Sequence, residues 1–209
     1  MPLLALFAQL AFYHLFLLAF LLGAQLYQSF FANITASNAI NRAQFGILQA
    51  AIWPMYFKLQ TVVSVLLALT YPGRGEAALF RGSASLQGVF DEGDRLTVMV
   101  PLMTMIVFSA INAFVLVPTT IRIMWKMHVE SAREDKLRGN TESQSHEEKN
   151  NFGESVRDRK AVEKEGPKSP ELKALTSKFL YFHLTSYACN LATIATSICY
   201  AMFVAERCL

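Results

Sequence analysis

Charge is nearly missing from long parts of this chain. Residues 1–41 contain no Lys, Arg, Asp or Glu, and charged residues make up only 17% of the sequence, against 53% hydrophobic residues. A soluble domain intersperses charge with apolar residues at a helical or strand period. Here most of the charge lies between Arg122 and Lys178. Apolar blocks of about 20 residues match the thickness of a bilayer core and predict an integral membrane protein.

Cysteine and catalytic motifs are scarce as well. Cys189, Cys199 and Cys208 form no CxxC pair, so a disulfide framework is not expected. The sequence contains no HExxH, no GxSxG and no phosphate-binding glycine loop. A net charge of +3 is too small to indicate nucleic acid. We therefore expect no enzyme and no cofactor. The expected partners are the lipid bilayer and either a second copy or another membrane protein.

Four apolar blocks follow one another at about residues 3–31, 45–71, 96–117 and 179–205. None shows strand alternation, and only helices or closed barrels satisfy backbone polar groups in lipid. The first block has no positive start and is longer than a signal-peptide core, which favours a retained helix. The predicted fold is all-α, an integral membrane four-helix bundle with a long disordered loop between helices three and four.

The polar loop between the third and fourth blocks sets the domain division and the orientation. Its density of Glu, Lys, Ser and Asn predicts disorder, although its start could instead extend helix three into water. The division is 1–126 for three membrane helices, 127–170 for the disordered loop, and 171–209 for the fourth helix and C-terminus. Thirteen Lys and Arg lie between residues 122 and 178, against three between 73 and 95. This asymmetry predicts a cytosolic loop, with both termini opposite, in an endomembrane or the plasma membrane.

Polar residues recur at helical spacing inside the apolar blocks. Each residue of a helix advances about 100°, which aligns one face per helix. These faces are His14, Leu18, Leu21, Gln25 and Gln28; Gln49, Trp53, Tyr56, Gln60 and Ser64; His183, Ser186, Asn190, Thr193 and Ser197; and, more loosely, Thr97, Thr104 and Asn112. Facing one another, such groups share hydrogen bonds worth about 0.6–2 kcal/mol each. We therefore expect an intramembrane polar cluster of His14, Gln25, Gln49, Gln60, Asn112, His183, Ser186 and Asn190.

This cluster has two interpretations. It could join the helices by hydrogen bonds, or it could line a polar route or ligand site. The histidines are the better functional candidates, because imidazole changes charge near neutral pH. His14 and His183 are expected at depths that differ by roughly 16 Å, from a rise of 1.5 Å per residue. This separation argues against a shared haem iron.

Pro54 and Lys58 are unusual within an apolar block. Pro54 either kinks a long helix or starts the true span after an interfacial helix. Lys58 lies about 180° from the polar face of its helix, so its ammonium group is expected to snorkel to the headgroups. A contact inside the bundle is the alternative. The spans contain no Asp or Glu, which weakens an ion-coupled transporter.

Several short motifs occur in a familiar order. They are His14, Gly23, Gln25 and Phe30; Phe45-Gly46 with Gln49; Pro54-Met55-Tyr56-Phe57; Asn112; Pro118-Thr119-Thr120 with Met124 and Glu130; and His183, Ser186, Cys189, Asn190 and Leu191. In order and spacing they resemble the transmembrane protein 205-like family, and the residues 139–170 remain unmatched. The resemblance implies a four-helix membrane protein of unknown function and supplies no catalytic residues.

The sequence thus favours a multi-pass membrane protein with a non-enzymatic role in membrane organisation or trafficking. The alternative is a small transporter or channel subunit with a polar intramembrane route. A haem protein or membrane enzyme is the third and weakest hypothesis.

Overall fold

The computed structural model describes residues 10–71, 95–137 and 169–208, and almost all of them are helical. Helix α1 comprises Leu10–Leu26, a π-helical turn Tyr27–Ala32 and Asn33–Ala39. Helix α2 is Arg42–Leu69, and helix α4 is Pro170–Cys208. Helix α3 comprises Arg95–Met99 and Asn112–Leu116 as π-helical turns, with Val100–Ile111 and Val117–Leu137 as α-helix. No strand occurs in these residues, and all four helices are long and apolar enough to cross a membrane. The predicted fold class is confirmed.

Three helices extend beyond their apolar blocks. Helix α1 continues to Ala39, eight residues after the end of its block. Helix α3 continues to Leu137, so the sequence-based division at residue 127 falls inside a helix. Helix α4 begins at Pro170, nine residues before its apolar block. The backbone N–H of Ser169 donates to Glu134 Oε1 at 3.2 Å, which ties the start of α4 to the end of α3. The predicted disordered loop otherwise falls on residues 138–168, outside the described residues, as does the connection 72–94.

The helices surround a core of large apolar side chains. Helix α3 packs against both α2 and α4, and α1 packs mainly against α2. The largest core cluster is Leu18, Leu21, Val63, Leu67, Tyr71, Val98, Leu102, Met105, Tyr200 and Val204. Large apolar side chains also cover the outside: Phe16, Met55 and Met202 are each at least 60% exposed. An apolar exterior around a polar-lined interior fits a bundle surrounded by lipid.

Helix α2 runs through Pro54 as one continuous helix. It begins where the side chain of Asn41 accepts a hydrogen bond from the backbone N–H of Gln44, at 2.9 Å. The structure therefore shows one long helix, and the interpretation with a separate interfacial helix before Pro54 is wrong. Lys58 is exposed on the outside of the bundle. This position is the one that snorkelling requires, and it does not fit a contact inside the bundle.

A pair of adjacent leucines tests the packing. Leu67 is fully buried and Leu66 is 39% exposed on the outer face. Leu67→Ala should lower stability by about 2–5 kcal/mol, because it leaves a cavity in the core. Leu66→Ala should change little, because lipid or detergent replaces the lost contacts. Thermal unfolding of both variants in detergent micelles measures the difference. An equal loss in the two variants would contradict the observed rotation of α2.

Candidate functional site

The structure turns the eight residues of the predicted polar cluster toward the inside of the bundle. Seven of them are at most 6% exposed, and His183 is half-buried. Of the loosely aligned residues of α3, Asn112 is buried, Thr104 is half-buried and Thr97 is exposed. The cluster is not one site. Gln60 and Asn190 belong to a network at the centre of the bundle, and His14 forms a separate site near the end of the bundle where Tyr200 lies. His183 and Ser186 line a cleft, whereas Gln25, Gln49 and Asn112 belong to none of these three.

The central network joins α1, α2 and α4 through Ser29, Tyr56, Gln60 and Asn190. The Asn190 side-chain oxygen accepts from the Tyr56 hydroxyl at 3.2 Å and from Gln60 Nε2 at 3.1 Å. Gln60 Nε2 also donates to the Tyr56 oxygen at 2.8 Å. Asn190 Nδ2 donates to Ser29 Oγ at 2.9 Å, and Ser29 lies 3.5 Å from the Tyr56 hydroxyl. The amides of α2 and α4 thus bond each other directly.

The donors and acceptors of this network form a closed ring. Tyr56 has one hydroxyl proton and gives it to Asn190, so the proton between Ser29 and Tyr56 must come from Ser29. Asn190 donates to Ser29, Ser29 to Tyr56, and Tyr56 back to Asn190. The contact from Ser29 to Tyr56 is the longest in the ring and therefore its weakest bond. The hydroxyl proton of Ser29 is the one most easily given to another acceptor.

The π-helical turns carry two of the polar contacts. Ser29 belongs to the turn Tyr27–Ala32 of α1, and Asn112 begins the turn Asn112–Leu116 of α3. Asn112 Nδ2 donates to the backbone oxygen of Ser186 on α4, at 3.2 Å. In a π-helical turn each backbone hydrogen bond spans five residues, whereas in an α-helix it spans four. Such turns are frequent at functional sites. In this bundle, they bring short polar side chains of α1 and α3 within reach of α4.

His14 forms a separate site where α1, α2 and α4 meet. Its Nδ1 lies 3.0 Å from Thr70 Oγ1, and its Nε2 lies 2.9 Å from the Tyr200 hydroxyl. Thr70 gives its own proton to the backbone oxygen of Leu66 at 2.7 Å, so Thr70 accepts from His14 Nδ1. The single ring proton then lies on Nδ1 and is donated to Thr70, and Nε2 accepts the hydroxyl proton of Tyr200. The arrangement fits a neutral imidazole held between two hydroxyl groups.

His183 lies in a different environment, between two aromatic rings. Its ring stacks on Trp53 with centroids 5.1 Å apart and on Phe179 with centroids 5.5 Å apart, both nearly parallel. A partly open cleft of about 50 Å³ lies beside it. The residues that line the cleft are Gln28, Ser29, Asn33, Trp53, Tyr56, Phe57, His183, Ser186, Tyr187 and Asn190. The cleft thus reaches from the aromatic stack to the central network.

The two histidines are far apart. His14 contacts Tyr200, which lies 17 residues after His183 on the same helix. At 1.5 Å per residue, the two imidazoles are separated along the bundle by roughly 25 Å. This distance excludes a shared haem iron, in agreement with the depth argument from the sequence. Within the described ranges, no group of three or more His, Cys, Asp or Glu could hold a metal ion.

Several buried polar atoms have no hydrogen-bond partner among the described residues. Both amide atoms of Gln25 are in this state, although the side chain is fully buried. The side-chain oxygens of Gln49, Gln60, Ser64 and Asn112 and the Nδ1 atom of His183 are unpaired as well. Burying an amide without a partner costs roughly 1–3 kcal/mol. These atoms can therefore gain free energy by binding water or a polar ligand.

Ser29, Thr70 and Tyr200 were not in the predicted cluster. Ser29 follows Gln25 at i+4 and Tyr200 follows Ser197 at i+3, so extending the helical spacing would have found both. Tyr56 was placed on the inner face, but its hydroxyl was not counted as a network member. Thr70 follows the last residue of α2, and helical spacing gives no signal there. Only its contact with His14 identifies it.

Comparison with known proteins assigns the first part of the bundle to a family. Residues 16–128 match the sequence model of a family described as Domain of unknown function (DUF4149). The matched segment holds most of α1, all of α2 and α3 as far as His128. It ends before α4, which carries Asn190 and His183. No solved structure matches the chain.

A double-mutant cycle tests the central contact. We expect Gln60→Leu and Asn190→Leu each to destabilise the bundle, because each leaves buried polar partners unpaired. The double variant should be more stable than the sum of the single losses predicts, by about 1 kcal/mol. Thermal unfolding in detergent provides the four values. Thr185→Val, on the exposed side of α4, is the control. Strict additivity would show that the two amides do not interact.

Proposed function

Because the chain belongs to the DUF4149 family, whose description gives no activity, we propose a function from the chemistry of the bundle. The protein is a non-enzymatic, multi-pass membrane protein with a role in membrane organisation or trafficking. It acts through its outer surfaces and its loop, while the polar groups inside hold the helices in place.

The observation that carries this proposal is the direct contact between amides. Gln60 and Asn190 lie 3.1 Å apart, and the Tyr56 hydroxyl bonds both of them. A water-filled route through the bundle would leave the two amides separated and hydrated. Here the Gln60 nitrogen donates directly to the Asn190 oxygen, as helix-joining groups do, and of the four amide atoms the Gln60 oxygen lacks a partner among the described residues.

The hydrogen bonds of three hydroxyl groups support a role without catalysis. Thr193 and Ser197 donate to backbone oxygens one turn earlier on α4, and Thr70 donates to Leu66. An activated nucleophile needs a base within hydrogen-bond reach of its proton. The Thr70 proton points to a backbone carbonyl, although the hydroxyl oxygen contacts His14. The protons of these hydroxyl groups are therefore donated to backbone oxygens and not to a base.

A second candidate function rests on Gln25. Both of its amide atoms are buried without a partner, and the oxygen of Gln60 is unpaired too. Buried polar side chains occur at many depths between Gln49 and His14. A small transporter or channel subunit would use such groups to replace the hydration shell of a solute. This is the alternative to the structural role.

We also propose that the chain is of the transmembrane protein 205-like type. His183, Ser186 and Asn190 lie beyond the segment that matches the family model. Ser186 and Asn190 are buried on the inner face of α4, and His183 lies beside the cleft. The α4 motif behind the resemblance therefore lies on the inner face of the bundle, which supports the finer assignment.

The orientation remains a proposal that rests on the positive charge of the loop. With that loop in the cytosol, the end of α3 and the start of α4 are cytosolic. Glu134 and Ser169, which are hydrogen-bonded, then lie at the cytosolic surface. Both chain termini lie on the opposite side.

Solute flux distinguishes the two candidate functions. Liposomes with the purified protein should pass potassium, sodium, chloride, protons and glycerol no faster than protein-free liposomes, because the central amides close the bundle. Ion-sensitive dyes and light scattering measure the rates. Saturable flux that is lost in Asn190→Leu and His183→Leu, but kept in Thr185→Val, would establish the transporter and overturn the structural role.

Cysteine labelling tests the orientation. In a background with Cys189, Cys199 and Cys208 replaced by Ala, Lys136→Cys and Glu206→Cys place single thiols at exposed positions near opposite ends of the bundle. Sealed microsomal vesicles expose their cytosolic face. A membrane-impermeant maleimide should label Lys136→Cys directly and label Glu206→Cys only after detergent is added. The reverse order would place the loop on the other side.

A further inference from the structure

The cleft beside His183 is lined by polar groups, and some of their hydrogen-bond donors and acceptors are not paired within the central network. We propose that it binds the uncharged, hydroxyl-bearing head of a lipid, such as a diacylglycerol, that enters sideways between α1 and α4. The inference goes beyond the proposed structural role and does not rest on it.

The lining offers both donors and an acceptor. An amide nitrogen carries two N–H groups, and one from Asn190 is used on Ser29 and one from Gln28 on the Asn33 oxygen. Each nitrogen therefore has a second N–H. Ser29 adds a hydroxyl proton that is held only by the contact of 3.5 Å to Tyr56. His183 also lines the cleft, and its buried Nδ1 atom has no partner among the described residues. In the tautomer that carries the proton on Nε2, this atom is an acceptor. A hydroxyl group, which both donates and accepts, complements this set.

Because the lining carries no charged side chain, it favours an uncharged lipid head. No Lys, Arg, Asp or Glu is among the described residues that line the cleft. A phosphate group buried there would lose its hydration without a cation to replace it, at a high cost in free energy. Lys58 is exposed and points about 160° around α2 from Tyr56, at 100° per residue. The nearest cation of that helix thus turns away from the network that Tyr56 joins.

The depth of the cleft matches the position of a lipid hydroxyl. His183 and Asn190 lie roughly 8 and 18 Å along α4 from Lys178, at 1.5 Å per residue. Lys178 is exposed, as expected for a charged side chain at the membrane surface. The His183 end of the cleft therefore lies in the upper part of a leaflet, just below the headgroup layer, and its Asn190 end lies near the middle of the bilayer, on the side of the α3–α4 connection. The hydroxyl of a diacylglycerol lies in this upper part of a leaflet, near the ester groups.

The cleft is open toward lipid. Tyr187 lines it and is 48% exposed, and at this depth an exposed side chain of a membrane helix faces hydrocarbon. Helix α1 lines one side of the cleft with Gln28, Ser29 and Asn33, and α4 lines the other with Ser186, Tyr187 and Asn190. The stacked rings of Trp53 and His183 provide a flat wall. A volume of about 50 Å³ suits a small head and is too small for a whole acyl chain, which would stay in the bilayer.

Fluorescence of a single tryptophan tests the proposal. The sequence has two tryptophans, and Trp125 is exposed on α3 away from the cleft. Trp125→Phe therefore leaves Trp53 as the only reporter. In phosphatidylcholine vesicles, diacylglycerol with brominated chains should quench Trp53 to saturation, and unbrominated diacylglycerol should relieve the quenching. Phosphatidic acid with the same chains should not relieve it.

Variants of the lining separate the site from general contact with lipid. Ser29→Ala and Gln28→Leu, each made with Trp125→Phe, should weaken apparent binding about tenfold, which corresponds to the loss of one hydrogen bond. Thr185→Val, on the exposed side of α4, should leave it unchanged. Unfolding temperatures identify any variant that fails to fold, and Ser29→Ala removes only one oxygen atom.

Three results would overturn the proposal. Quenching that rises in proportion to the brominated lipid, without saturation, would mean that Trp53 meets only bulk lipid. Equal competition by phosphatidic acid would exclude selection for an uncharged head. Unchanged binding in both folded lining variants would place the lipid elsewhere on the bundle.

Discussion

The hydrogen bonds among Tyr56, Gln60 and Asn190 are the constraint on which the rest of the bundle depends. In hydrocarbon, an amide that turns outward has no water to bond, so its helix can adopt few rotations about its axis. Gln60 and Asn190 meet at 3.1 Å, and this contact sets the rotation of α2 and α4 together. The remaining inner residues of both helices then follow at helical spacing, and the exposed apolar side chains turn to the lipid.

The backbone of the bundle adapts to the same requirement. Ser29 lies in a π-helical turn of α1 and Asn112 in one of α3, and both contact α4. A π-helical turn shifts the phase of the residues that follow it, so α1 presents Ser29 and Asn33 to the cleft. Near the far end of the bundle, His14 bonds Thr70 and Tyr200. Polar contacts thus tie α1 to its neighbours at the centre of the bundle and near one end.

Most polar groups inside the bundle are hydrogen-bonded to other groups of the protein. Those without a partner among the described residues indicate where a molecule could bind. Gln60 donates directly to Asn190 at the centre of the bundle, which supports a structural role. Gln25 and the Nδ1 atom of His183 remain unpaired, and the second of these lies beside a partly open cleft. A membrane protein with a closed centre and a side cleft is suited to contacts with lipids or with other membrane proteins. This geometry connects the proposed structural role with the proposed lipid site, although neither depends on the other.

The sequence by itself determined the lipid environment, the number of helices and the inner faces of α1, α2 and α4. On α3 the predicted inner face was only partly right, because Thr97 is exposed. Charged residues are separated from long apolar blocks, which implies that lipid surrounds the helices. Polar residues recur at helical spacing within a block, as Gln49 and Gln60 do in α2 and Ser186 and Asn190 do in α4. The sequence did not determine the ends of α3 and α4, because a polar helix outside the membrane has no hydropathy signal. Only the tertiary structure decided which polar groups meet: Asn190 with Gln60, and His14 with Tyr200 at a distance of 186 residues along the chain. Helical spacing fixes a direction around one axis, whereas a hydrogen bond also requires the relative depth of two helices, and that depth is set by packing across the whole bundle.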